Sequence, residues 1–257
     1  MYVDTHCHLD DDKFNDKAEI VNNFLANGVD FAINMGCEIN SSIAGKSLTE
    51  KYENVYFGAG FHPNDAEKFN DNSLNELKDI AMHNKCVAIG EIGLDYHYEG
   101  FDKAKQQFVF ESQISLANSL KMPISIHSRD ATFDTIELLK NNKNNLTYGG
   151  VMHCFSGSVE TAKILLDFGL YISFAGTLTF KNAKNLIDVA KYVPLDRCLT
   201  ETDSPYLAPE PFRGKRNEPM LVKYVAEKLA LIKGVESKDL CEKVYQNALN
   251  LFTKIKK

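Results

Sequence analysis

Several things are missing from this chain of 257 residues, and each absence narrows what it can be. No apolar run approaches the ~20 residues needed to cross a bilayer, so a membrane-spanning helix is not expected. No basic-then-apolar leader opens the sequence; Asp4, Asp10, Asp11 and Asp12 crowd the start instead, and the cytoplasm is the expected compartment. Basic charge is not in excess: the formal net charge is −6, which removes the electrostatic footprint of a protein that coats duplex DNA. It does not exclude an enzyme that grips one phosphate at a time, and no stable protein partner is expected. The six cysteines contain no C-x-x-C pair and mostly sit in apolar runs, so they read as reduced, buried small hydrophobes. No Gly-rich nucleotide fingerprint follows the first apolar run, which counts against a doubly wound open sheet. Linkers, low-complexity tracts and short repeats are also absent, and residues 1–257 read as a single domain.

What is present is a rhythm. Short apolar runs recur at 1–5, 30–35, 55–60, 86–89, 124–126, 150–152, 171–175 and 198–200. Segments with helical character lie between and after them, near 16–26, 41–51, 73–83, 102–120, 131–141, 158–168, 180–192, 219–233 and 237–253. In the fourth of these, Phe110, Ile114, Ala117 and Leu120 fall on one helical face. Strand-helix alternation repeated eight times predicts a parallel sheet closed into a (β/α)8 TIM barrel of class α/β. Residues 204–219 form the one long loop. Four of the seven prolines are there, which makes it stiff, and long ordered loops are usually functional.

The polar residues at the ends of these runs carry the chemistry. The first run leads to His6 and His8, the third to His62, the fourth to Glu91, the fifth to His127, Ser128 and Arg129, the sixth to His153, and the eighth to Glu201 and Asp203. Five of the seven histidines belong to this set. Strand alternation puts Asp4, His6 and His8 on one face and Cys7 on the other, so Cys7 drops out as a ligand and Asp4 is left to orient an imidazole. Taken singly, each residue has a plain structural reading: a histidine bonded to a carbonyl, Glu91 paired with Arg129, Asp203 capping the Ser204-Pro205 turn. A barrel, however, converges its strand ends on one mouth, and so many imidazoles and carboxylates in one space call for divalent cations.

These residues stand in motifs: His6-Cys7-His8, Gly90-Glu91-Ile92-Gly93-Leu94-Asp95-Tyr96, His127-Ser128-Arg129-Asp130-Ala131, His153-Cys154-Phe155-Ser156-Gly157, and Glu201-Thr202-Asp203-Ser204-Pro205-Tyr206-Leu207 running on through Arg213-Gly214-Lys215-Arg216-Asn217-Glu218-Pro219. In this order and without large gaps from residue 3 to about residue 252, the chain resembles the TatD family of metal-dependent deoxyribonucleases, a TIM-barrel branch of the amidohydrolase-like metalloenzymes. The resemblance implies that His6, His8, Glu91 and Asp203 hold one metal. It implies that Glu91, His127 and His153 hold a second, with Glu91 bridging and Glu201 as a neighbour or alternate ligand. No ligand position departs from the family pattern. Asn247 to Phe252 lacks the basic residue that relatives often carry before Leu-Phe, which concerns helix packing rather than chemistry.

The implied activity is hydrolysis of phosphodiesters in DNA, trimming single strands from the 3′ end and cutting at abasic sites. Asp203, with Glu201 nearby, is expected to manage the proton. The ions, rather than lysines, would supply the positive charge that an acidic protein needs to hold DNA. Four imidazoles lean towards Zn²⁺ or Mn²⁺, with Mg²⁺ also open. Arg129 and His62 are the expected phosphate contacts, although an ion pair with Asp130 or Asp95 is the other reading of Arg129. Arg213, Lys215 and Arg216 either hold the DNA backbone or form a solvated run. Tyr96 and Tyr206 either stack on bases or pack the barrel mouth. The competing function keeps the metals and changes the bond, to an amide, ester or lactone. Arg129 and the basic loop favour phosphate, because a small neutral substrate needs neither.

Overall fold

In the computed structural model, which describes residues 1–256, eight strands lie in one sheet in strict chain order. They are β1 (Tyr2–Cys7), β2 (Val29–Met35), β3 (Val55–Ala59), β4 (Cys86–Asp95), β5 (Ile124–Arg129), β6 (Gly150–Met152), β7 (Tyr171–Phe174) and β8 (Cys198–Thr200). Each pairs in parallel with the next. The sheet then turns back on itself. A parallel bridge joins Cys7 to Ser204, the His8 amide donates to Ser204 O at 2.7 Å, and the Asp203 amide donates to His6 O at 2.9 Å. The expected (β/α)8 barrel is the fold, and these contacts close it at the end where the polar residues lie.

Helices follow the strands: α1 (Lys17–Asn22), α2 (Ile39–Lys51), α3 (Ser73–Ala81), α4 (Lys103–Leu120), α5 (Thr132–Asn141), α6 (Val159–Asp167), α7 (Lys184–Tyr192), α8 (Val222–Lys233) and a final α9 (Ser237–Leu251). None of the described helices is long and apolar enough to cross a membrane. Local chemistry sets several starts. Asp102 caps α4 by accepting from the Lys105 amide, Ser158 caps α6 through the Thr161 amide, and Glu38 and Ser41 form a capping box on α2. The strands are buried on both faces, as parallel strands covered by helices must be, and most therefore read as near-continuous apolar runs.

Two glutamines of α4 act as buried struts for the site. Gln113 accepts from the Phe61 amide at 2.7 Å and donates to Phe61 O at 3.1 Å. Gln106 treats both backbone groups of Asp95 the same way, at 2.9 Å each. They fix the chain beside His62 and at the tip of β4. Gly93 is a second fixed point: its φ is +148°, and a Cβ there would lie 1.9 Å from His127 O. Gly93→Ala is therefore expected to force β4 away from β5 and to cost about 2 kcal/mol or more in denaturant unfolding. An unchanged unfolding midpoint would show that the two strands can separate freely there.

All six cysteines are free thiols, as expected, but not all are core residues. Cys37 and Cys154 are only half-buried and line the cavity at the barrel mouth. The proline-rich loop is ordered by Asn217, whose buried amide donates to Thr202 O and Tyr206 O at 2.8 and 2.6 Å.

Candidate metal centre

The carboxyl ends of β1, β4, β5 and β6, with the segment after β8, converge on Glu91, which is only 3% exposed. Its two oxygens face different partners. Oε2 lies 3.2 Å from His6 Nε2 and 3.7 Å from His8 Nε2, and Asp203 Oδ1 is 3.3 Å from His8 Nε2 and 3.9 Å from His6 Nε2. Oε1 lies 2.7 Å from His153 Nε2, 2.9 Å from His127 Nδ1 and 3.6 Å from His62 Nε2. One carboxylate thus divides its oxygens between two groups of donors. The groups His6-His8-Asp203 and Glu91-His127-His153 each have ligand atoms close enough to share one ion.

The far nitrogens of the rings are tied down. His8 Nδ1 is 3.0 Å from Met35 O, His127 Nε2 is 3.2 Å from Asp95 Oδ2, His153 Nδ1 is 3.3 Å from Glu201 Oε1, and His6 Nδ1 is 3.4 Å from Ser125 Oγ. A neutral ring that donates outward to a carbonyl or carboxylate presents a lone pair inward. In that tautomer His8, His127 and His153 turn lone pairs towards Glu91, with His127 Nδ1 and His153 Nε2 only 3.2 Å apart. Lone pairs that face one another and a carboxylate repel unless a cation lies between them. Imidazole nitrogens with carboxylate oxygens are a donor set suited to Zn²⁺ or Mn²⁺, so the residues fit the implied metals. Glu201 adds to the case, since its buried Oε2 has no hydrogen-bond partner.

Electrostatics couple the cluster: burial pushes the His127 and His153 rings down, but Asp95 and Glu91 on the first and Glu91 and Glu201 on the second outweigh it and raise both. Burial pushes the Glu91 carboxyl up, but the imidazoles around it, His153 and His6 foremost, outweigh it and hold it well below the usual carboxylate range. Asp95 is held at about 2: burial again opposes, and hydrogen bonds from His127 and the His97 amide prevail. Burial drives His62 down to about 3, so that ring is neutral. Its Nδ1 accepts from the Asn64 amide at 3.1 Å, which leaves the proton on Nε2, pointing towards Glu91.

The remaining residues divide. A cavity of about 670 Å³ opens over the centre and is lined by His62, Arg129 and Tyr206 among others. Arg129 pairs with neither Asp130 nor Asp95. Its guanidinium sits 5.4 Å over the Tyr98 ring and donates to Tyr98 Oη at 3.4 Å. Asp130 is taken by His97 at 2.8 Å and Asp95 by His127. Tyr206 is at the mouth with its hydroxyl on Asp11, and its ring edges His8 at 6.3 Å. Tyr96 is not at the mouth. Alternation that turns Glu91 and Asp95 inward turns Tyr96 outward, where it stacks on Phe101 and donates to Asp134 at 2.9 Å. Tyr98 joins Tyr206 as an exposed aromatic at the mouth.

The basic loop does not act as a unit. Arg216 spends its fork on Asp16, with both contacts at 2.7 Å, and also on Glu218, so it fastens the loop to the start of α1. Arg213 stacks over Phe180 at 4.3 Å and Lys215 is exposed; neither lines the cavity. Asp4 does not orient an imidazole. Its carboxylate accepts from the Thr202 amide and hydroxyl and from the His6 amide, tying the end of β8 to β1. Asp95 is the site residue that sequence reasoning missed. The signal was the strand period itself, which carries the inward face from Glu91 through Gly93 to Asp95.

With the geometry in place, comparison with known proteins gives a consistent picture. A family model described as TatD related DNase matches residues 3–253. The uncharacterized metal-dependent hydrolase YabD of Bacillus subtilis (strain 168) is 42% identical over 253 residues, covering 98% of this chain and 99% of its own length. The uncharacterized metal-dependent hydrolase YcfH of Escherichia coli (strain K12) is 41% identical over 254 residues, covering 97% and 95%. Among solved structures, YJJV, a TatD homologue from Escherichia coli K12, aligns with a TM-score of 0.93 at 30% identity over 98% of both chains. A TatD family hydrolase from Entamoeba histolytica gives 0.88 at 25% identity, covering 99% of this chain and 98% of its own.

Proposed function

The chain belongs to the family of TatD related DNases and is a metal-dependent hydrolase, and on that footing we propose that it cleaves phosphodiester bonds in DNA with two divalent ions, trimming single strands from the 3′ end and cutting at abasic sites. The observation that carries phosphate over carbonyl is Arg129: a guanidinium at the cavity, without a carboxylate partner among the described residues, in a chain of net charge −6. A neutral ester or amide offers such a group only a single uncharged carbonyl acceptor, whereas two phosphate oxygens match its fork and its charge.

His6, His8 and Asp203 would hold one ion and His127 and His153 the other, with Glu91 offering one oxygen to each. When bound, the ions supply Lewis-acid stabilisation of charge on the phosphoryl oxygens. The protein's own groups do the rest. Arg129 and the Nε2 proton of His62 bind the non-bridging phosphate oxygens and set the phosphorus in the cavity. Asp95 and Glu201 hold His127 and His153 in the tautomers that face Glu91. Asp203 Oδ accepts the proton of the attacking water. Tyr98 and Tyr206, 56% and 44% exposed at the cavity wall, offer faces on which unpaired bases stack, which favours single strands.

The test is purified protein with Mn²⁺, Mg²⁺ or Zn²⁺ on 3′-ended single-stranded DNA, alongside ester and amide panels. The expected result is metal-dependent release of nucleotides from the 3′ end, abolished by a chelator. Carbonyl turnover with no DNA cleavage under any metal would reverse the reading. Arg129→Ala is expected to lower kcat/KM on DNA by about 10- to 100-fold, the worth of a charge-assisted hydrogen-bond pair. A change under about twofold would remove Arg129 from the phosphate site.

A further inference from the structure

Beside the metal centre lies a second cavity of about 390 Å³, set between α5 and α6 and within the ~300–1,000 Å³ typical of small-ligand sites. It shares a wall with the main cavity, because Ser128, Arg129, His153 and Ser156 line both. Met152, Phe155 and Leu165, all buried, form an apolar floor, while most of the accessible lining is polar and includes His97 and Asp130, which pair with each other. Hydroxyls of Thr132, Ser156 and Thr161 line the same space. A different cleft, of about 290 Å³, opens on the other side of Tyr98 and carries Glu67, Glu99 and Asp102. A polyanion leaving the centre meets three carboxylates on that side, and on the other Arg129 with a single carboxylate, Asp130, that is engaged by His97.

We infer that the cavity between α5 and α6 seats the nucleobase of the nucleotide whose phosphate lies at the metal centre, with Arg129 at the boundary between phosphate and base. The inference rests on the reading of the chain as a nuclease. A nucleobase has two apolar faces and a polar edge, which matches an apolar floor and a border of hydroxyls. A second phosphate would leave Met152, Phe155 and Leu165 uncovered, and a hydrocarbon would leave the hydroxyls without partners. Each hydroxyl both donates and accepts, so the cavity accepts the edge of any of the four bases and selects for the presence of a base rather than its identity.

The experiment is equilibrium binding by calorimetry to the Mn²⁺-loaded protein. Its probes are dTMP and dAMP against 2-deoxyribose 5-phosphate, which carries the same phosphate without a base. The wild-type protein is expected to bind both nucleotides at least about tenfold more tightly than the sugar phosphate, the lower range for one stacked base. Ile136→Trp, which fills the cavity from α5, is expected to remove that difference by weakening the nucleotides alone. Thr132→Trp, at an exposed position where misfolding is not a concern, is expected to act in the same direction. Equal affinity for nucleotides and sugar phosphate in the wild-type protein, or an unchanged ratio in both variants, overturns the inference. The outcomes separate it from the parent reading: DNA cleavage without base discrimination sinks the base site alone, and discrimination without DNA cleavage upholds the base site while sinking the nuclease.

Discussion

Replacing Glu91 with glutamine is expected to lower DNA turnover by a factor on the order of 10³ or more and to reduce the bound metal from two ions per chain to one. The geometry makes this a sharper change than loss of one charge. Glu91 presents Oε2 to His6 and His8 and Oε1 to His153 and His127, the four imidazoles that would share the ions with it. A carboxylate can offer an acceptor to both sides. An amide cannot: its oxygen serves one group, and its NH₂ turns donors towards the other. Whichever way the amide settles, one group keeps an oxygen and the other receives hydrogens where a cation belongs. Lewis-acid stabilisation is worth several kcal/mol, and each 1.36 kcal/mol is tenfold in rate, which sets the expected loss. Metal analysis after dialysis measures the stoichiometry independently of activity. Two ions retained with near-normal turnover would exclude Glu91 from both sites.

The cluster of imidazoles and carboxylates was legible because it obeys local rules. Parallel strands buried on both faces leave apolar runs that are easy to find, and a barrel brings their carboxyl ends together, so a polar residue at a run's end is a residue at the mouth. His6, Glu91, His127 and His153 all satisfy that rule. Errors arose where the rule was stopped too early or where the partner lies far along the chain. β4 was expected to end at Ile89 because Gly90 and Glu91 break the apolar run. It continues to Asp95 because Ile92 and Leu94 still pack outward while Glu91 and Asp95 point in. That early stop hid Asp95 and left Tyr96 at the mouth instead of Tyr98. The helix expected at 180–192 starts only at Lys184.

Arg216 illustrates the other limit. Its cationic loop resembles a phosphate grip, and nothing near it in sequence announces Asp16, which closes its fork from the opposite end of the chain. Asp4 shares this blind spot. Its place on the ligand face of β1 was readable, but its partner Thr202 is supplied by barrel closure. Spacing along a chain tells which face a side chain takes, and tertiary partners decide what it does there.

Asp203→Asn is expected to cut turnover by about 10²–10⁴-fold, the worth of a positioned proton acceptor, while single-stranded DNA still binds. The substitution suits this position unusually well. Asp203 has φ +56°, in the left-handed region that asparagine tolerates, and its amide closes the barrel by donating to His6 O. Asparagine therefore keeps the backbone, the side-chain shape and one neutral oxygen for the ion that His6 and His8 would share, and removes the charge and the capacity to take a proton. Glu201 is held through Oε1 by the Cys154 amide at 2.7 Å and by His153, which leaves only its buried Oε2 without a partner. Binding, followed by fluorescence anisotropy of a labelled single strand, is expected to persist, since Arg129 and His62 are untouched, and metal analysis after dialysis checks that the ion beside His8 is retained. Turnover and binding then part company, which neither misfolding nor a lost phosphate contact would produce. Near-normal turnover in the asparagine variant would sink the proton-accepting role of Asp203, and a parallel loss of binding would make it a substrate contact instead.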